Sequence, residues 1–241
     1  MQLKRYRLDL DYSYAFGLHP VLELLRFRSQ AVRRVVAHSR GAKAGTLVDV
    51  ERRCESLGIG LEVDDALVER LSHKRNVDVL AVFEKYVSEL SRDADHVMLV
   101  TPSDHGNVGT TLRSMAAFGF REVALVGSGT DMFNPHVVRA SMGMVFACDG
   151  VVFEAAADYL GGYQRRLYRF TAAARRTLRS TVFESPLTLA FGPEGGGYPE
   201  SLRRCGQEVA IPQRPEVESL NLAVASGIAL YEVATQRAAA R

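Results

Sequence analysis

The chain has 241 residues, 47% of them hydrophobic, and a formal net charge of +2. That length and apolar content suffice for a sizeable core, in one large or two modest domains, and exclude a chain too polar to fold. The three cysteines, Cys54, Cys148 and Cys205, lie far apart without CxxC spacing, which argues against a disulfide framework and a zinc site. No window approaches the about 18 uninterrupted apolar residues of a membrane span, and acidic Asp9 and Asp11 stand where a signal peptide would have its apolar core, so a soluble, cytoplasmic protein is expected.

After a polar lead, residues 19–28 (HPVLELLRFR) have helical spacing, with Val21, Leu24 and Leu25 on one face and Pro20 in the first turn. A strand at 32–37, a helix at 43–57 stopped by Gly58, a strand at 61–63, a helix at 65–71 and a strand at 77–83 complete a small α/β unit. The polar stretch 88–95 (SELSRDAD) reads as a linker, giving domains at 1–90 and 95–241. From Val97 onward, short apolar strands at 97–100, 123–126, 151–153, 168–173, 187–191 and 209–211 alternate with helices. This pattern predicts an α/β domain with a mostly parallel sheet. The last helix is expected from Ser219, as N-cap, to about Arg237, with Leu222, Ala225, Ala229 and Val233 on one face and Val224 and Ile228 widening the stripe.

A net charge of +2 does not by itself name nucleic acid as partner, but the cations cluster. One group runs through Arg33-Arg34, Arg40, Lys43, Arg52-Arg53 and Lys74-Arg75, a second through Arg165-Arg166, Arg169, Arg175-Arg176 and Arg179. Each is either a solvated face or a phosphate-contacting patch.

Open parallel sheets bind ligands at the carboxyl ends of their strands, and three loops stand out there, after Val100, Phe191 and Ile211. The first carries Asn107-x-Gly109-x-x-x-Arg113 at a helix start, a setting suited to a phosphate or ribose. The second, Phe191-Gly192-Pro193-Glu194-Gly195-Gly196-Gly197, and the third, Ile211-Pro212 followed by Ser219-Leu220-Asn221, are built for main-chain contact with a cofactor. Other nucleotide fingerprints fail: Gly127-Ser128-Gly129 lacks a third glycine, and there is no GK[ST] triplet and no GxSxG elbow. The six histidines show no metal-ligand spacing, so no metal is expected.

In that order, the three motifs resemble the SpoU (TrmH-like) branch of the SPOUT RNA methyltransferases over about Val97 to Tyr231, and Arg139-Ala140-Ser141-x-Gly143 looks like the family's R-A-S-x-G segment. Tyr14-x-x-Gly17-x-x-Pro20-Val21-Leu22-Glu23 resembles the start of an L30e-like RNA-binding domain. The resemblance implies a deep trefoil knot in the C-terminal domain, S-adenosyl-L-methionine as cofactor, and methyl transfer to a ribose 2′-hydroxyl of structured RNA. The RNA would be ribosomal, with transfer RNA as the alternative; a non-catalytic RNA-binding protein on the same fold is a further reading. It also implies main-chain cofactor contacts around Leu189, Gly192, Ile211 and Leu220, catalytic or substrate-positioning roles for Asn107, Arg113, Glu194, Ser219 and Asn221, and a homodimer formed through the knotted domain. The chain departs from the family pattern at Tyr198-Pro199, where a leucine or methionine and a polar residue are usual. It departs again at Gln213-Arg214-Pro215, in place of methionine-x-glycine, and at Arg75-Asn76-Val77.

Overall fold

A computed structural model of the chain describes residues 3–72, 76–127, 130–193 and 195–239. In chain order its first elements are β1 (Tyr12–Phe16), α1 (Leu18–Phe27), β2 (Val32–Ala37), α2 (Ser39–Lys43), α3 (Val48–Leu57), β3 (Leu61–Val63), α4 (Asp65–Leu71) and β4 (Val79–Glu84). There follow β5 (His96–Val100), α5 (His105–Ala117), β6 (Glu122–Val126), α6 (Pro135–Ala140), β7 (Asp149–Phe153), α7 (Ala156–Gly162), β8 (Arg166–Phe170), β9 (Leu187–Phe191), α8 (Glu200–Arg203), β10 (Gln207–Val209) and α9 (Leu222–Ala239). The chain divides into two compact units, 1–86 with 131–147, and 87–130 with 148–241.

The first unit is a four-stranded sheet in the order β1-β4-β2-β3, antiparallel except for the β2–β3 pair. Helix α1 buries Pro20, Val21, Leu24 and Leu25, the face its spacing predicts. The helix expected over 43–57 starts later, as α3 at Val48, because the chain leaves the short helix α2 at Lys43 and turns at Gly45, whose φ is 65°. Strand β1 lies in what reads as a polar lead. Ser13 is fully buried there because its hydroxyl donates to the Phe133 carbonyl at 2.5 Å, a partner 120 positions away that no local pattern discloses.

Residues 131–147 belong to this unit, although the sequence reading puts them between two strands of the second domain. Asp131 receives Lys85 Nζ at 2.6 Å and the Tyr6 hydroxyl at 2.7 Å, while Phe133 and Phe146 pack edge-on against Phe83. Gly143 closes the segment against α1: at its φ of 82° an added Cβ would lie 2.8 Å from Pro20 Cα and 2.9 Å from Glu23 Cβ. Gly143→Ala is therefore expected to lower stability by about 3 kcal/mol through backbone strain and overpacking; a urea midpoint equal to wild type would contradict that packing.

The second unit is a six-stranded, wholly parallel sheet in the order β10-β8-β9-β5-β6-β7. Its central strands are near-continuous apolar runs, as two-sided burial requires; β9 (LTLAF) is buried throughout. Helices α5 and α9 pack on one another, joined inside by the Thr111 and Ser226 hydroxyls at 2.9 Å. The stretch 88–95 is tied into this unit, with the Ser91 amide donating to Glu122 at 2.6 Å. Among the described residues no helix is long and apolar enough to cross a membrane.

At the amino ends of the strands, buried His96 joins a chain of polar groups. Its Nδ1 is 2.8 Å from the Tyr159 hydroxyl, which is 2.5 Å from Thr188 Oγ1, and its Nε2 is 2.9 Å from both the Ser91 carbonyl and a Glu122 carboxylate oxygen. Burial holds the imidazole neutral, pushing its pKa down to about 4, and the same burial raises the Glu122 carboxyl. The folded chain thus resists a proton that the unfolded chain accepts near pH 6.5. The group's stabilisation is complete above about pH 6.5 and is lost as pH falls towards 4, by on the order of 3 kcal/mol. Urea midpoints between pH 7 and 4.5 should fall more steeply for wild type than for His96→Gln; parallel curves would exclude this role.

Candidate functional site

The carboxyl ends of β8 and β9 and the loop after β10 enclose a cavity of about 380 Å³. Phe170 and Phe191, the last residues of their strands, stack at 4.8 Å and 9° on its wall. Gly192, Gly195, Gly196 and Gly197 line it from one loop, Ile211, Gln213, Ser219 and Leu220 from the other. Aromatic and aliphatic walls with exposed main chain suit a flat heterocycle bearing a polar sugar.

Both lining loops are held from within. The Tyr198 hydroxyl lies 2.5 Å from the Ala190 carbonyl and 3.1 Å from that of Phe170, bridging the ends of β9 and β8. Its ring is buried, and burial raises the phenol pKa. Gln213 Nε2 donates to the Val217 carbonyl at 2.9 Å and to that of Glu218 at 3.4 Å, folding the second loop on itself.

Beside the cavity, two helix starts are tied together. Asp104 caps α5 by accepting the Asn107 amide at 2.7 Å, so Asn107 sits inside the first turn rather than at the cap. The expected serine cap of the last helix is corrected as well. The helix begins at Leu222, and Asn221 Oδ1 accepts the Ala223 and Val224 amides at 2.9 and 3.3 Å, leaving Ser219 exposed in the loop. The other end of the same amide, Asn221 Nδ2, donates to Asn107 Oδ1 at 2.9 Å. The first and third motifs therefore meet, 114 positions apart in the chain.

Of the residues singled out from sequence, Gly192, Ile211, Ser219 and Leu220 line the cavity. Asn107 and Asn221 are joined at its lip, and Arg113 is exposed further along α5, with no hydrogen-bond or ion-pair partner among the described residues. Leu189 is not part of the lining; it is fully buried in β9, paired with Val97 and Tyr168. Glu194 lies outside the described residues. Sequence reasoning missed the loop after β8, whose Thr171 and Ala172 also line the cavity. The rule that flags carboxyl ends of strands applies equally to that strand.

The second arginine group proves to be two populations. Arg165 donates to main-chain carbonyls of Ser91 and Arg92, Arg166 pairs with Glu184 at 2.6 Å, and buried Arg169 holds the Cys205 and Arg203 carbonyls and Glu208. Arg176 reaches Gln207. The side chains of Arg175 and Arg179 are exposed without hydrogen-bond or ion-pair partners among the described residues, as is that of Arg214 in the loop after β10. These loops run side by side, since the Leu178 amide donates to the Ala210 carbonyl and the Ala210 amide to that of Arg176, both at 2.8 Å. In the first group, Arg33, Arg34 and Arg40 are paired with Asp11, Glu62 and Asp78, and Lys74-Arg75 lie outside the described residues.

Comparison with known proteins gives the family of the chain. An uncharacterised tRNA/rRNA methyltransferase of Synechocystis is 36% identical over 141 residues, which are 57% of this chain and 52% of that protein. A 23S rRNA uridine 2′-O-methyltransferase of Streptomyces viridochromogenes is 28% identical over 181 residues, 68% of this chain and 62% of that protein. The chain thus spans about half to three fifths of the length of these relatives. The crystal structure of an AdoMet-bound rRNA methyltransferase from Sinorhizobium meliloti superposes with a TM-score of 0.78 at 28% identity, covering 92% of this chain and 87% of that one. The profile of the SpoU rRNA Methylase family matches residues 95–231, more than half of the sequence, and the chain belongs to that family.

Proposed function

We propose that this chain methylates a ribose 2′-hydroxyl of structured RNA with S-adenosylmethionine as donor, ribosomal RNA being the favoured substrate and transfer RNA the second. The observation that carries the reading is the Asn107–Asn221 hydrogen bond at the lip of the cavity, which joins a donor-sized pocket to a helix bearing an unpartnered arginine. The relatives named above as rRNA and tRNA/rRNA methyltransferases support it.

The residues present fit the donor. A volume of about 380 Å³ between stacked phenylalanines and apolar Ile211 and Leu220 accommodates an adenine, and the glycine loop allows main-chain groups to reach the ribose. Main-chain groups around Gly192, Ile211 and Leu220 would hold it, whereas Leu189, paired within the sheet, would not. Once bound, S-adenosylmethionine supplies a methyl group activated on a sulfonium.

In this reading the remaining work is positional. Arg113 carries a guanidinium, a cation that donates hydrogen bonds and has no acceptor, so it orients the ribose hydroxyl and a neighbouring phosphate and offsets negative charge forming on the oxygen, rather than removing the proton. Asn107 and Asn221 fix that end of the site, with Ser219 as a further polar contact. The unpartnered Arg175, Arg179 and Arg214 provide cations for RNA phosphates. The first unit is read as the L30e-like domain that recruits the RNA.

The knot belongs to the same reading. It is supported by the path of the chain, which forms edge strand β10 beyond β8 and then returns to pack α9 on α5. Exposed Val224, Ile228 and Tyr231, spaced along one side of α9, support a second copy of the chain as cover for that stripe. The setting is cytoplasmic.

The test is label transfer from the donor to purified RNA. Wild type should methylate riboses in ribosomal RNA, and Arg113→Ala should lose at least about a hundredfold in rate while donor affinity, by calorimetry, stays within about threefold. Absence of label in both ribosomal and transfer RNA, or full turnover by the variant, would refute the assignment.

A further inference from the structure

The cavity is a main-chain construction, so its shape depends on what holds the main chain. At the end of β9 that role falls to Tyr198. Its hydroxyl spans the Ala190 and Phe170 carbonyls at 2.5 and 3.1 Å, and its phenol oxygen also interacts with the Gly192 main chain. Its ring lies under Gly192, where an added Cβ would meet the ring carbons at 3.4 to 3.7 Å. The ring is also covered by the Arg169 guanidinium, 5.5 Å from its centroid and anchored by the Cys205 and Arg203 carbonyls and by Glu208. The Tyr198 carbonyl accepts Arg203 Nε at 2.7 Å, which fixes the other end of the residue. Gly192 and Tyr198 are therefore tied to β8, β9 and α8 by one side chain and its own peptide.

We propose that Tyr198 is a positioning residue for donor binding, whose hydroxyl sets the glycine loop in its ligand-ready form before the ligand arrives. A leucine or methionine at this position could fill the slot but could not bridge the two strand ends. Removing the hydroxyl frees the loop at Gly192, and the ordering that wild type has already undergone must then accompany binding. The loss of a single buried hydrogen bond predicts roughly tenfold weaker binding. The proposal rests on the donor reading above.

The test compares wild type, Tyr198→Phe and Tyr198→Leu by calorimetry with S-adenosylmethionine, with thermal melts and amide exchange of residues 195–197 alongside. Both variants keep an apolar side chain in a buried slot. The expected result is a cooperative melt, faster exchange confined to the loop, and dissociation constants raised roughly tenfold. A folded variant that binds with wild-type affinity would overturn the proposal. So would loss of folding in both variants, which would make the tyrosine a requirement of the core rather than of the pocket. If wild type itself binds no donor while the loop exchange still responds to the substitution, the donor reading fails and the loop clamp stands.

Discussion

The side-chain amide of Asn221 divides its two ends between two helices. Its oxygen caps α9, and its nitrogen reaches across to Asn107 in the first turn of α5. Further along the same helix pair, the Thr111 and Ser226 hydroxyls meet at 2.9 Å in a fully buried position. Each such bond contributes only about 1 kcal/mol net, but leaving either hydroxyl unpaired in that interior costs more than the bond gains. The register of α9 against α5 is thus fixed chiefly by what a slip would leave unsatisfied. Because Ser219, Leu220 and Leu222 lie immediately beside Asn221, that register also places the lip of the cavity.

The parallel sheet gives the two ends of the second unit different characters. At the amino ends, His96, Tyr159, Thr188 and Glu122 close a buried polar network whose members are satisfied by one another. Such a network rigidifies, because a neutral imidazole with both nitrogens bonded has one arrangement that satisfies it. At the carboxyl ends, the strands run into loops with glycines and exposed main chain, and the cavity lies there. A ligand site made of loops needs a fixed platform, and the buried network at the opposite end helps to fix these strands.

The sequence disclosed the parts governed by short-range rules. Strand β9 falls at the boundaries its apolar run predicts, and the cavity loops are legible from glycines and prolines following strands. What escaped depends on distant partners. Strand β1 hides behind Ser13, whose burial needs the Phe133 carbonyl. The arginine run from 165 to 179 looks uniform in one dimension, yet Arg169 is a buried girder and Arg175 is free of partners among the described residues. The cap of α9 passed from Ser219 to Asn221 because both are good caps, and only contact with Asn107 distinguishes them.

The two departures from the family pattern beside the cavity share one physical logic. Tyr198 and Gln213 both stand where an apolar side chain is usual, and both use their polar atoms on main-chain carbonyls, Tyr198 on those at the ends of β9 and β8 and Gln213 on those of its own loop. A site that recognises its ligand through backbone groups constrains where the backbone lies, not which side chain keeps it there. Substitution at such a position can exchange packing for hydrogen bonding and leave the recognising atoms in place, provided the new polar group is fully bonded, as the Tyr198 hydroxyl is. A changed residue beside a main-chain site is therefore to be judged by the carbonyl or amide it holds, and in this chain those are Ala190 and Phe170 for one loop and Val217 and Glu218 for the other.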